Sequence, residues 1–259
     1  MTGHPAYGEL RQVTPSAGVV LEDNPSSMTL EGTNTWLLRA PGAATTVVVD
    51  PGYEDVPHLT RVAEVAGEVE LIIVTHQHPD HVQGASWLAT RVGAPVRAFE
   101  PSLCAGAPAL TDDEVVDAGG LSLQALHTPG HTEDSVCLAV DGTVLTGDSM
   151  LGRGTTVISD LGPYLGSLRR LATLPAGTLA LPGHGPELPD VAATAREYLA
   201  HREERLDQVR AALRELGQDA TARQVVELVY RDVDESLWAP AEWSVRAQLD
   251  YLRSTGEAG

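Results

Sequence analysis

The chain has 259 residues, enough to bury a substantial core without disulfide or metal staples, as one large domain or one plus a small appendage. It carries 36 acidic against 17 basic side chains, a formal net charge of -19, and every basic residue is Arg. That deficit argues against a general grip on polyanions, because nonspecific nucleic-acid binding rests on Lys and Arg neutralising phosphates. The first ten residues lack both a basic region and an apolar run, and no apolar stretch approaches membrane-spanning length. A cytoplasmic protein without a membrane partner is therefore expected. Cys104 and Cys137 are read as a loop thiol and a buried small hydrophobe, not as a disulfide.

In chain order, residues 18–22, 34–39 and 45–50 read as three strands, the last two separated by the turn signal Pro41-Gly42. Residues 23–33 between the first two are polar, with Pro and Gly, and form a loop and candidate lid. His58, Leu59, Val62, Ala63 and Ala66 share a helical spacing, and residues 69–74 form the next strand. A helix is expected over 82–92, ending at Gly93. Short strands follow at 95–99, 114–117, 121–127, 136–140 and 143–147, with Gly119-Gly120 and Asp141-Gly142 as turns. A helix over 164–174 and a strand over 178–181 complete this part. Two sheets covered on the outside by helices, an α/β four-layer αββα sandwich, would give these strands a shared core.

Near residue 190 the character changes. Residues 191–216 are long-helix material, and 220–230 and 241–252 give two shorter amphipathic helices. The expected division is a catalytic domain over 1–190 and a C-terminal helical, winged-helix-like module over 191–259. The last helix offers two Arg against Glu242 and Asp250, and its Trp243, Leu249 and Leu252 read as a packing face. A wall of the active-site cleft or a contact in a homodimer is expected of it, and duplex DNA is not.

The chemistry is concentrated after the strand at 69–74. His76, His78, Asp80 and His81 fall within six residues. His76 and His78 are two apart, so an extended backbone points both imidazoles to one side, and beyond Pro79 the helical pattern brings Asp80 and His81 toward the same region. This is one metal site, or two sharing a pocket. Three later strands also end on a Gly-flanked ligand type: His131, Asp148 and His184. Five histidines and two aspartates suffice for two cations, and the set suits zinc, with iron or manganese as alternatives.

His76-Gln-His78-Pro-Asp80-His81, followed by Thr-Pro-Gly-His131, Thr-Gly-Asp148 and Pro-Gly-His184-Gly, resembles the metallo-β-lactamase superfamily, whose fold is the αββα sandwich. The resemblance implies that His76, His78 and His131 hold one metal, that Asp80, His81 and His184 hold the other, and that Asp148 bridges them. Residues 29–36, 148–157 and the run from Tyr198 to Arg202 look like the beta-lactamase-like-2 family, which carries a winged-helix-like C-terminal module. That family includes a single-strand-selective endoribonuclease and fungal thioesterases. β-Lactam-hydrolysing members generally lack the bridging Asp, so Asp148 counts against β-lactam hydrolysis.

The expectation is a dinuclear hydrolase in which a water shared by two cations attacks a thioester or acyl ester, or a phosphodiester of single-stranded RNA. Asp80, Asp148 and His184 are the candidate catalytic residues. Two other classes compete: a nucleic-acid-binding regulator with a structural metal site, and a mononuclear iron persulfide dioxygenase. Asn34 at the loop hinge, and Arg153, Thr155 and Thr156 after the bridging Asp, are candidate substrate contacts, the last three for a phosphate or carboxylate. His127 is placed as a group orienting a ligand, Trp36 and Tyr164 in the core, and His4, His58 and His201 at the surface.

Overall fold

The computed structural model describes residues 6–232, 234, 235 and 238–256. His4, expected at the surface, lies outside the described residues. Strands β1 (Leu10–Gln12), β2 (Ala17–Leu21), β3 (Asn34–Leu38), β4 (Thr45–Val49), β5 (Glu68–Ile73) and β6 (Val96–Arg97) make one mixed sheet in sequence order. The β1-to-β4 part is antiparallel, and β5 and β6 join in parallel. The second sheet has the order β11-β10-β9-β8-β7, from β7 (Val115–Ala118), β8 (Leu121–His127), β9 (Val136–Val140), β10 (Thr143–Gly147) and β11 (Leu179–Pro182). Only β10 and β11 are parallel there.

Alternation along the strands decides the layers. Val47 and Val49 join Trp36, Leu71 and Ile73 against Leu123, Leu138 and Leu181 of the other sheet, forming the central core. Val48 and Ile72 face the opposite way, onto Leu59 and Val62 of α1 (Val56–Ala66) and Leu88 of α3 (Ala85–Val92). The continuous apolar run of β5 follows from this burial on both faces. The αββα sandwich is thus the observed fold.

The helix expected over 82–92 is two: α2 (Pro79–Val82), opened by Pro79 at its first position, and then α3. The chain bends at Gly84, whose N–H donates to Gly52 O at 2.8 Å. A Cβ there would lie 2.7 Å from both Tyr53 O and Leu59 Cδ2, so only glycine permits the approach. The strand β1 was not legible, since its Leu10 is 40% exposed and its pairing is with β2 alone. Helix α4 (Leu161–Leu171) starts three residues before the expected Tyr164, where the Asp160 carboxylate caps Gly162 N.

The outer face of the second sheet is covered by α4, α5 (Val191–Leu216), α6 (Ala222–Val229) and α7 (Trp238–Thr255). Asp190 caps α5 at Ala193 N, and Thr221 with Gln224 forms a capping box on α6, about 1 kcal/mol each. Val225, Val226, Val245, Leu249 and Leu252 join Leu161, Leu165 and Leu168 and the sheet residues Cys137 and Val144 in one apolar cluster. Among the described residues, no helix is long and apolar enough to cross a membrane. Cys104 and Cys137 are free thiols.

Candidate metal centre

Strands β4, β5, β8, β10 and β11 all run out at one edge of the sandwich, and two backbone links hold the sheets together there. Val136 N donates to Thr75 O at 2.9 Å, and Asn34 N donates to Gly183 O at 2.8 Å. The seven residues expected as ligands meet at this edge. His76 Nε2 and His131 Nε2 lie 3.0 and 2.9 Å from His78 Nδ1. Three imidazole nitrogens at 2.0–2.1 Å from a tetrahedral zinc would be about 3.3 Å apart, close to this spacing. Beside them, His184 Nε2 lies 3.1 Å from Asp80 Oδ2, 3.3 Å from His81 Nε2 and 3.4 Å from Asp148 Oδ2. Asp148 lies between the groups, with Oδ1 3.6 Å from His81 Nε2 and Oδ2 3.7 Å from His131 Nε2. His76, His81 and Asp148 also form a close trio, so the two groups interlock.

Outer hydrogen bonds fix which nitrogen each ring turns inward. His131 Nδ1–H donates to Val157 O at 2.6 Å and His184 Nδ1–H to Gly32 O at 3.1 Å. His81 Nδ1–H donates to Asp50 Oδ2 at 2.9 Å. Thr75 Oγ1 donates to that same Asp50 oxygen and so accepts from His76 Nδ1 at 3.0 Å. Four rings therefore present Nε2 to the cluster, while His78 presents Nδ1.

Charge divides the cluster. Burial holds His76 well below the usual imidazole range and brings His78 down to about 4. For His184 burial works the same way, but the Asp148 and Asp80 carboxylates outweigh it and hold the ring well above that range. His81 is likewise raised against its burial, by Asp50 and Asp148. Burial opposes ionisation of Asp148, yet His184 and His81 keep it well below the carboxylate range, and Asp80 is lowered against its burial chiefly by His184.

The residues fit cations by their own chemistry. Asp148 Oδ1 is buried with no hydrogen-bond partner, in a ring of nitrogens whose remaining lone pairs point the same way. A buried carboxylate oxygen without an N–H or O–H is satisfied by a cation. The backbone also leaves the space clear: a Cβ on Gly183 would come within 2.6 Å of Asp148 Oδ1 and 2.7 Å of His81 Cε1. Beside the cluster opens a cavity of about 450 Å³, walled by Met28, Val157, Ile158 and, from α7, Trp243, Arg246 and Asp250.

Several expectations need correction. The Asn34 side chain is engaged within the fold: its N–H groups donate to Pro182 O and Gly185 O at 3.0 and 2.8 Å, tying β3 to the His184 turn. Thr156 is buried with Oγ1 3.1 Å from His131 Nδ1, where it steadies that ring. Arg153 and Thr155 line a hollow next to the metal pocket, so their place is beside the metals and not at them, and Arg153 pairs with Glu31. His127 orients no ligand; it stacks on Phe99 at 3.8 Å and its Nε2–H donates to Glu133 O. His58 is buried, with Nε2 2.9 Å from Thr35 Oγ1, and burial lowers it to about 4. His201 is half-buried in the neighbouring hollow. Trp36 and Tyr164 are buried as expected, the indole donating to Pro182 O and the phenol to Ser149 O. Trp243 belongs to no packing face; it is 57% exposed and faces the cavity.

Asp50 is the residue that sequence reading missed. It ends β4 as a strand stop before Pro51-Gly52, with φ at +52°, a conformation that Asp tolerates better than most side chains. That turn brings Oδ1 onto Thr75 N at 2.8 Å and Oδ2 onto Thr75 and His81. An Asp one residue past an apolar strand, with Pro and Gly behind it, has the same form as the other three strand-end sites.

Comparison with known proteins identifies the family of this fold. Residues 28–184 match the family described as Metallo-beta-lactamase superfamily, and residues 221–258 match the Beta-lactamase associated winged helix domain. The chain is 32% identical to the Beta-lactamase-like protein 2 homolog of Drosophila melanogaster, over 95% of this chain and 90% of that one. It is also 32% identical to the Atrochrysone carboxyl ACP thioesterase of Aspergillus chevalieri, over 90% of this chain and 79% of that one. A Beta-lactamase domain protein from Burkholderia ambifaria superimposes with a TM-score of 0.84 at 24% identity, covering 99% of this chain and 91% of that one. With its strand-end histidines and aspartates and its C-terminal helices, the chain belongs to the metallo-β-lactamase superfamily of hydrolases, among the beta-lactamase-like protein 2 homologues.

Proposed function

We propose that this protein is a metal-dependent thioesterase holding two divalent cations, zinc by its donor set. His76, His78 and His131 would hold one cation, Asp80, His81 and His184 the other, with Asp148 between them. The observation that carries this reading is the inward aim of six donor residues around the unpartnered Asp148 Oδ1. The thioesterase activity named for the Aspergillus chevalieri relative supports an acyl thioester as substrate, and so does a pocket walled by Met28, Val157, Ile158 and Trp243.

Two cations bound there would supply Lewis acidity and an acidified water to a polarised carbonyl. The chain's own groups then have separable tasks. Asp80, ionised and facing the cavity, can accept the proton of an attacking water. Asp50 and Thr75 hold His81 and His76 in the required tautomers, and Thr156 with Val157 O does so for His131. The apolar walls exclude water from the acyl chain. Single-stranded RNA is the weaker candidate for a chain of net charge -19, and no duplex DNA partner is proposed, because α7 presents Trp243 and Arg246 to the pocket.

The test is metal analysis followed by turnover of an acyl thioester, a single-stranded RNA and a β-lactam, each with and without chelator. Thioester hydrolysis that is lost with chelator and regained with zinc is the expected result. Chelator-insensitive thioester turnover would overturn metal dependence, and RNA cleavage abolished by His78→Ala, without thioester turnover, would replace the substrate class.

A further inference from the structure

The hollow beside the metal pocket has a volume of about 370 Å³ and shares the walls Met28 and Val157 with it. Arg153, Arg202, Arg205 and His201 line it, with the hydroxyls of Thr155 and Ser244. Three of the chain's 17 arginines thus meet in one cavity of a strongly acidic protein. Arg153 pairs with Glu31, but the charges of the other two are poorly compensated. Arg202 is 3% exposed; it donates to Thr156 O at 2.6 Å, its guanidinium lies 5.4 Å from the Tyr164 ring centre, and its Nε–H has no partner. Arg205 donates to the neutral Gln208 Oε1 at 2.7 Å and stacks on Tyr230. Among the described residues neither has a carboxylate partner, and His201 Nδ1 beside them is also buried and unpartnered. Burial, then the Arg202 and Arg205 charges, depress His201 below its usual range.

A buried guanidinium without a carboxylate partner is costly unless an anion lies beside it. Planar guanidinium forks flanked by hydroxyls match the oxygens of a phosphate, which accepts several charge-assisted hydrogen bonds at once. We propose that this hollow is a phosphate subsite adjoining the metal centre, with Arg202 and Arg205 as its principal ligands. Its position fits either a phosphate ester carried by the substrate or free phosphate bound beside it. The assignment stands on the cavity and does not rest on the acyl reading above.

The experiment is calorimetric titration of the metal-loaded full chain with inorganic phosphate, in the wild type and in Arg205→Gln, with circular dichroism confirming the fold. Arg205 is chosen because Arg202 also holds the backbone at Thr156. Binding weakened about tenfold or more by Arg205→Gln is expected for the loss of a charge-assisted contact. Absent binding, or binding indifferent to Arg205→Gln as it would be at the metals, would overturn the proposal. A second arm compares an acyl thioester whose thiol arm ends in a phosphate ester with its dephosphorylated form. A preference for the first that vanishes in Arg205→Gln places the phosphate on the substrate; equal use of both assigns the subsite to free phosphate. If neither thioester is turned over, the thioesterase reading falls while the calorimetry still decides the subsite.

Discussion

The two halves of the ligand cluster are built alike and charged differently. His76 and His78 are imidazoles whose charged form is disfavoured by burial, so their nitrogens are open to a cation without first losing a proton. His81 and His184 sit among Asp50, Asp80 and Asp148, and those carboxylates favour a proton on the rings. The difference teaches that sequence spacing sets where the ligands go, while the neighbours set how readily each half loads. The ionic half must exchange protons for metal, so its occupancy should fall first as pH drops.

The largest effect is expected where the halves join. Asp148→Ala should lower thioester turnover by about 1000-fold, a loss of several kcal/mol of transition-state stabilisation, with metal content falling from two equivalents toward one. Unchanged turnover with full metal content would show that the halves work independently. Asp50→Asn tests the ionic half first. It removes the charge behind His81, and the affinity of the cation at Asp80, His81 and His184 should fall about 10- to 100-fold, measured by competition with a chelating dye, with a smaller loss at the other site through Thr75 and His76.

Proton counting sharpens the same contrast. Titrating zinc into the metal-free protein near pH 7 in weak buffer should release about one proton or more with the second equivalent, and fewer with the first. Equal release at both steps would contradict the assigned charges. The smallest effect concerns Glu22, whose carboxylate accepts from Tyr53 N and is pushed up to about 7 by burial, with Asp55 and Asp80 adding to it. Its folded pKa is above the ordinary 4.5, so the folded state binds the extra proton between 4.5 and about 7. Stability from this group therefore falls as pH rises through that window. Glu22→Gln should raise Tm by a few degrees at pH 8 and leave it nearly unchanged at pH 4.5.

Much of this was legible in the chain. The seven clustered residues are announced by apolar strands that stop at a Gly or Pro, a pattern set by backbone geometry and visible locally. The αββα layers followed because β strands buried on two faces must be covered twice. What stayed hidden depends on distant partners. Asp50 looked like a strand stop because its use, holding Thr75 and His81, lies 25 and 31 residues away. Asn34 looked like a hinge because its partners Pro182 and Gly185 are 148 and 151 positions downstream. Trp243 shares a helix with buried Leu249 and Leu252, and only the packing of α7 against α4, α5 and α6 decides which face meets the core.

Helix α7 gives the last point its consequence. One face of it completes the apolar cluster with α4 and the second sheet, and another walls the metal pocket. A substitution that retunes the pocket through Ala247 sits two residues from both Val245 and Leu249, and one at Trp243 sits two residues from Val245, so refitting this enzyme to a new substrate and keeping it folded are constraints on the same few residues. Directed changes of specificity would start more safely from Met28, in the loop between β2 and β3, where the side chain is 46% exposed and belongs to none of the core clusters.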